Sequence, residues 1–133
     1  MIRYPVYTLV EINLLKAHEQ FVEEDVRNLV KIIKNEGNVR EPIVVDIDTM
    51  VILNGHHRVE ALKRLGAKYI PAYYVNYASD EVMVDKWPDA KDSVSKKEVI
   101  KRGMSGNLYP PKTSKHTFKY ELKIIKTNLE ILF

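Results

Sequence analysis

A short apolar run, Met50 to Leu53, stops at Asn54-Gly55, and a helical pattern begins directly behind it. Val59, Ala61, Leu62 and Leu65 fall on one helical face. No other stretch constrains the fold as strongly: a strand has to become a helix within a few residues. Gly55 permits that turn and lets the backbone come close to a ligand. Amide N–H groups in the first turn of a helix lack internal partners and attract anions. His56, His57 and Arg58 occupy this first turn. Cations there oppose the helix dipole, so the helix gives no reason for them. A bound polyphosphate does: Arg58 can grip a phosphate with two parallel hydrogen bonds, and both histidines add donors. The plainer alternative is a surface turn with incidental polar residues. The motif mechanics favour phosphate binding.

The rest of the chain is read as one domain over residues 1–133, long enough for a real core. No apolar run is long enough to span a bilayer. Met1-Ile-Arg-Tyr-Pro5 lacks the charged-then-apolar pattern of a secretory leader, so a cytoplasmic location is expected. The chain has no cysteine, hence no disulfide framework and no thiolate metal site. Its net charge of +3 suits a polyanionic ligand but is weak ground for nucleic acid, which is not expected as a partner. Five lysines between Lys112 and Lys126 face one acid, Glu121. They read equally well as a solvated tail or as a lid over phosphates.

Local patterns predict mixed secondary structure. Val6 to Ile12 alternates like a strand, and Leu14 to Phe21 is a connection. Val26, Leu29, Val30, Ile32 and Ile33 share one face of a helix from Glu23 to Glu36. Acids open that helix and Gly37 ends it, and it reads as scaffold. Pro42 to Asp46 and Met50 to Leu53 read as strands joined by a turn containing Asp46 and Asp48. Gly66 stops the helix that follows the phosphate turn. Tyr69 to Tyr77 is β-rich, with Pro71 placing part of it at a sheet edge. Val82 to Val84 forms a short strand. Ser95 and Glu98 suggest a capping box for a helix over 96–102, followed by a loop from Gly103 to Ser114. Phe118, Tyr120, Leu122 and Ile124 alternate as a last strand. The class is α+β, with a small mixed β-sheet and flanking helices.

The remaining chemistry is less sharply drawn. The four histidines lie at His18, His56-His57 and His116. Imidazole is a common metal ligand, but no paired ligand spacing lies on a helix, so phosphate donation is the better reading. Glu19 sits in a polar connection and could accept a hydroxyl proton. From the residues alone an ordinary surface glutamate is the stronger reading. Lys112, Thr113, Ser114, Lys115 and His116 form a row of donors behind two prolines. Trp87 reads as a core or edge anchor. Glu60 either holds Arg58 or is solvated.

Three of these segments carry a family resemblance. Asn54-Gly55-His56-His57-Arg58 is similar to the Asp-Gly-His-His-Arg signature of the free serine kinases. Those enzymes belong to the ParB/sulfiredoxin-like superfamily, whose members bind nucleotide phosphates with a related Gly-x-x-Arg turn. Leu15-Lys-Ala-His-Glu-Gln20 resembles a His-Glu segment whose Glu is the catalytic base. That role falls here on Glu19. Pro110 to His116 resembles a Pro-Pro-Lys-Thr-Thr-Arg-His ending that contributes substrate and phosphate contacts. Thr113, Ser114, Lys115 and His116 take those positions, although Lys115 lacks the fork of an arginine. The family has a similar tryptophan near its serine pocket, which makes Trp87 a substrate wall.

The resemblance runs from about Glu11 to about His116. It implies a ParB N-terminal/sulfiredoxin-like fold, and a kinase that phosphorylates free L-serine with ATP or ADP and Mg²⁺. Asn54 replaces the family's Asp, which bears on how the metal or substrate is held. Sulfiredoxin chemistry needs a cysteine and is excluded. The alternative is a ParB-like nucleotide-binding regulatory or DNA-binding module. Such proteins usually add a helix-turn-helix domain, for which residues up to Phe133 leave no room.

Overall fold

The sharp strand-to-helix turn at Gly55 lies in the middle of the architecture. In the computed structural model, which describes residues 2–133, a four-stranded mixed sheet is ordered β1 (Val6–Glu11), β5 (Tyr69–Val75), β3 (Ile43–Asp46), β4 (Ile52–Asn54). β1 and β4 run antiparallel to their neighbours, and β3 and β5 pair in parallel. Two ribbons flank the sheet: β2 (Asn38–Val39) with β8 (Thr127–Asn128), and β6 (Val82–Lys86) with β7 (Ser114–Phe118). The helices are α1 (Glu23–Glu36), α2 (His56–Leu65) and α3 (Lys96–Ser105). The α+β expectation, a small mixed sheet with flanking helices, holds. No helix among the described residues is long and apolar enough to cross a membrane.

Side-chain alternation builds a core on each face of the sheet. Ile43, Val45, Ile52, Ile70 and Ala72 point to one face, where Val26 and Ile33 of α1 and Val59 and Leu62 of α2 cover them. Val44, Leu53 and Val75 point to the other, against Val82, Val99 of α3 and Tyr109. β3 is buried along its whole length, as a central strand should be. Gly37 and Gly66 end α1 and α2 in the left-handed conformation. Asp46 is a turn former: its carboxylate accepts the Thr49 hydroxyl at 2.6 Å and the Tyr77 amide at 3.3 Å.

β5 lies inside the sheet, but β3 begins pairing only at Ala72, so the part of the strand around Pro71 is paired on the β1 side alone, as the proline suggested. Two expectations need correction. Gly103 does not open a loop. It lies inside α3, where a Cβ would collide with Val51, so the helix packs closely on the sheet. The last long strand is Ser114–Phe118, held by pairing with β6, and not the stretch from Phe118 to Ile124. Phe118, Tyr120 and Leu122 alternate because they pack on the second core. Of the two readings of the lysine-rich segment, the lid finds no support beyond His116: Lys119, Lys123 and Lys126 do not border the cleft that Lys112 and Lys115 line. Lys119 bonds through its amide to the Glu81 carbonyl, and the Lys123 carbonyl accepts the Tyr73 hydroxyl.

Candidate active site

Glu19 is held by backbone that lies far away in sequence. Its segment is stitched to Tyr109, with the Tyr109 amide on the His18 carbonyl and the Gln20 amide on the Tyr109 carbonyl. This brings the start of β7 over the carboxylate. Oε1 accepts the Thr113 amide at 2.5 Å and the Ser114 amide at 2.8 Å. Oε2 is left to face His56 Nδ1 at 4.0 Å. Burial pushes the Glu19 pKa up, and the Ser114 and Thr113 amides pull it back. The result is a carboxylate with one oxygen anchored and the other available as a base.

Glu19 lines a cleft of about 550 Å³. Asn54, Gly55, His56, His57, Arg58, Trp87, Ser114, Lys115 and His116 border the same cleft. Thr113 does not: it presents its amide to Glu19 and its side chain to the Pro110 carbonyl. The segments 54–58 and 112–116 thus meet around one space, although the sequence separates them widely.

The inner wall is the start of α2. Gly55 is its N-cap, at φ 109°, and no side chain caps the helix. A Cβ on Gly55 would run into Ile43 and approach Arg58 Nη2 at 3.0 Å. The first amide bonded back within the helix is that of Val59, to the Gly55 carbonyl. The amides of the first turn are therefore open to an anion.

The side chains of this turn face another way than expected. His56 Nε2 accepts the His18 amide at 3.2 Å, and His57 Nε2 accepts the Val22 amide at 3.0 Å. An acceptor nitrogen carries no proton, so both rings are neutral Nδ1–H tautomers. Burial depresses both pKa values, most strongly at His56. Arg58 Nη1 donates to the carbonyls of Glu41 and Pro42 at 2.8 and 2.7 Å, so that nitrogen already braces the chain entering β3. Glu60 pairs with Arg64 and does not hold Arg58.

His18 and His116 are not surface donors. His18 is wholly buried, with Nδ1–H on the Ile52 carbonyl at 2.7 Å and Nε2 accepting the Ser114 hydroxyl at 2.8 Å. Desolvation lowers its pKa to about 4. Ser114 Oγ also lies 3.5 Å from Glu19, but its single proton goes to His18. His116 Nε2 meets the Tyr77 hydroxyl at 2.8 Å, while Nδ1 lies near the Leu53 backbone outside normal hydrogen-bond geometry. Its pKa falls to about 3, again chiefly by desolvation.

The outer wall comes from the β6–β7 ribbon. Trp87, 41% exposed, is no core anchor: its indole N–H donates to the Ser114 carbonyl, and Lys115 Nζ lies 4.9 Å over the ring. Lys112 has a left-handed backbone, φ 58°, and its ammonium approaches Asp25 at 3.6 Å. Sequence reasoning missed the far end of the cleft, where Leu29, Ile32 and Val39 form an apolar wall. One signal was present. Ile32 widens the apolar stripe of α1 beyond what the core uses, and it stays 40% exposed.

An apolar end, a helix N-terminus with open amides and an anchored carboxylate together suit a nucleotide and a second small substrate. A family model described as the ParB N-terminal domain matches residues 6–86, from β1 to the end of β6. The chain belongs to the ParB N-terminal domain family. The match takes in Glu19 and the 54–58 turn and stops before Ser114. An ATP-dependent L-serine kinase of Staphylothermus marinus is 34% identical over 103 residues, covering 72% of this chain and 41% of that protein. An ADP-dependent L-serine kinase of Thermococcus kodakarensis is 32% identical over 101 residues, with the same two shares. This ParB N-terminal domain thus spans 41% of the length of those relatives. A free serine kinase solved in complex with AMP superposes with a TM-score of 0.86 over 98% of this chain and 95% of that one. At 18% identity, the match shows that the ParB N-terminal domain has the same fold.

Proposed function

We propose that residues 1–133 act as one nucleotide-binding domain that transfers a phosphoryl group from ATP or ADP to the hydroxyl of free L-serine. The observation that carries the reading is Glu19: one oxygen pinned by two amides, the other turned toward the open first turn of α2. The serine-kinase relatives supply the substrate. The base and ribose would rest against Leu29, Ile32 and Val39, with the phosphates on the amides of the first turn of α2. Serine would lie between Glu19 and the Trp87–Lys115 wall.

As the serine oxygen attacks the terminal phosphorus, its proton passes to Glu19 Oε2. The bond from phosphorus to the bridging oxygen breaks, and the shortened nucleotide leaves. Lys112 and Lys115 offset charge on the transferred group. The backbone holds Glu19 in place, so catalysis is mainly positioning and charge stabilisation.

Among the described residues no group of three or more His, Cys, Asp or Glu side chains could hold a metal alone. Mg²⁺ needs no such cage, because it keeps waters and binds mostly through substrate phosphates. An ion brought in with the nucleotide would meet Asn54, whose side-chain amide oxygen could hold it at the edge of the cleft. The ion would neutralise phosphate charge. Such a kinase works where nucleotides and free amino acids are, in the cytoplasm.

The test is a product assay with L-serine, Mg²⁺ and, separately, ATP, ADP and CTP. O-phospho-L-serine is expected with ATP or ADP. Nucleotide binding without any phosphoserine would contradict the kinase and favour a ParB-like nucleotide-binding regulatory module. Tight duplex binding at physiological salt would add DNA as a partner.

A further inference from the structure

The two histidines that open α2 bracket Glu19. His56 Nε2 accepts the amide of His18, the residue before Glu19. His57 Nε2 accepts the amide of Val22, three residues after it. Val22 is the N-cap of α1, and its own side chain gives that helix no capping bond. In a capping box a side chain of the same helix would take the N-cap amide. Here the imidazole of a second helix takes it. Asp25, at the third helical position, instead faces His57 and Lys112, at 3.9 and 3.6 Å.

We propose that His56 and His57 are positioning residues for Glu19, locking its segment onto the first turn of α2 by two backbone N–H···Nε2 bonds. The inference rests on the kinase reading for what Glu19 does, but not for the bonds themselves. Its consequence is a shared frame. The turn whose amides receive the phosphates is also the turn that sets the carboxylate, so donor and base are registered against one element. A displacement of about 1 Å is enough to spoil such alignment. The imidazoles act here as acceptors, the opposite of phosphate donors. His57 is the cleaner of the two to vary, because it is only partly buried, while His56 packs edge-on against His18 with ring centroids 4.6 Å apart.

Two measurements on the full chain decide the matter. In ¹⁵N-labelled protein, scalar coupling across the hydrogen bond should link the Val22 amide nitrogen to His57 Nε2, and that of His18 to His56 Nε2. Absence of both couplings in folded protein overturns the proposal whether or not the chain is a kinase. In parallel, His57→Ala and His57→Gln are compared for phosphoserine formation and nucleotide affinity. The glutamine oxygen reaches the same position as Nε2 and can accept the Val22 amide. Loss of one such bond should lower kcat about tenfold in the alanine variant, with nucleotide Kd within about twofold. The glutamine variant should recover most of the loss. Equal kcat in His57→Ala and wild type, or a defect confined to nucleotide affinity, overturns it. If wild type forms no phosphoserine while the couplings are present, the kinase reading fails alone and the structural lock stands.

Discussion

The two walls of the cleft use basic side chains in opposite ways. On the α2 wall, His56, His57 and Arg58 turn inward and bind backbone: two amides and two carbonyls. What that wall offers a ligand is its main chain. On the outer wall, Lys112 and Lys115 border the cleft with their ammonium groups held by side chains, on Asp25 and over the Trp87 ring, and Trp87 keeps an exposed ring. Preorganised amides cannot swing away, so the first wall suits the group whose position must be fixed. Flexible lysines follow a moving charge and suit the group that is transferred.

The comparison breaks most readily at Gly55. Gly55→Ala puts a Cβ into Ile43 on a backbone at φ 109°. It should destabilise the fold by on the order of 3 kcal/mol or more. Thermal unfolding checks this, and an unchanged melting temperature would mean that the turn is not as tight as described.

Acid should attack the interior of the site before the lysine wall. His18 and His116 are held neutral, with pKa values lowered from 6.5 to about 4 and about 3. A depressed pKa means that the unfolded chain binds protons more readily than the folded one. The stability gained is complete above pH 6.5 and is lost as pH falls toward those values. Each histidine should remove roughly 1.4 kcal/mol per pH unit over that window. Denaturant unfolding at pH 7 and pH 5 measures it. A flat profile would contradict rings held neutral by desolvation.

Arg58→Ala separates bracing from phosphate binding. Loss of the bonds to Glu41 and Pro42 should cost about 1–2 kcal/mol of stability without any ligand present. If only nucleotide affinity changed, Arg58 would be the phosphate grip that the sequence suggested. The smallest effect belongs to the outer wall. Lys115→Ala should leave stability near wild type and weaken nucleotide binding roughly three- to fivefold, less at high salt. Calorimetry at two salt concentrations tests this.

These contrasts also show where sequence reading reaches and where it stops. β1, α1 and α2 were legible because period and glycine stops agree over whole elements. Several residues that border the cleft were also singled out, through the 54–58 turn and through Lys112, Ser114, Lys115 and His116, whereas Thr113 lies outside it and Glu19 was marked only by the family resemblance. What was hidden is the direction of each bond. An imidazole reads as a donor or an acceptor only when its partner is known, and the partners of His56 and His57 are amides 38 and 35 residues away. β7 was hidden for a related reason: Ser114–Phe118 is largely polar, and only pairing with β6 makes it a strand. Ile32 carried a local signal, an apolar residue beyond the stripe that the core needs.

Everything said of the cleft converges on the free oxygen of Glu19. Glu19→Gln keeps an oxygen for the Thr113 and Ser114 amides but cannot take a proton. Turnover to phosphoserine should fall by roughly two orders of magnitude or more, while calorimetry finds nucleotide affinity near that of wild type. A Gln variant that forms phosphoserine at the wild-type rate would show that Glu19 is not the base.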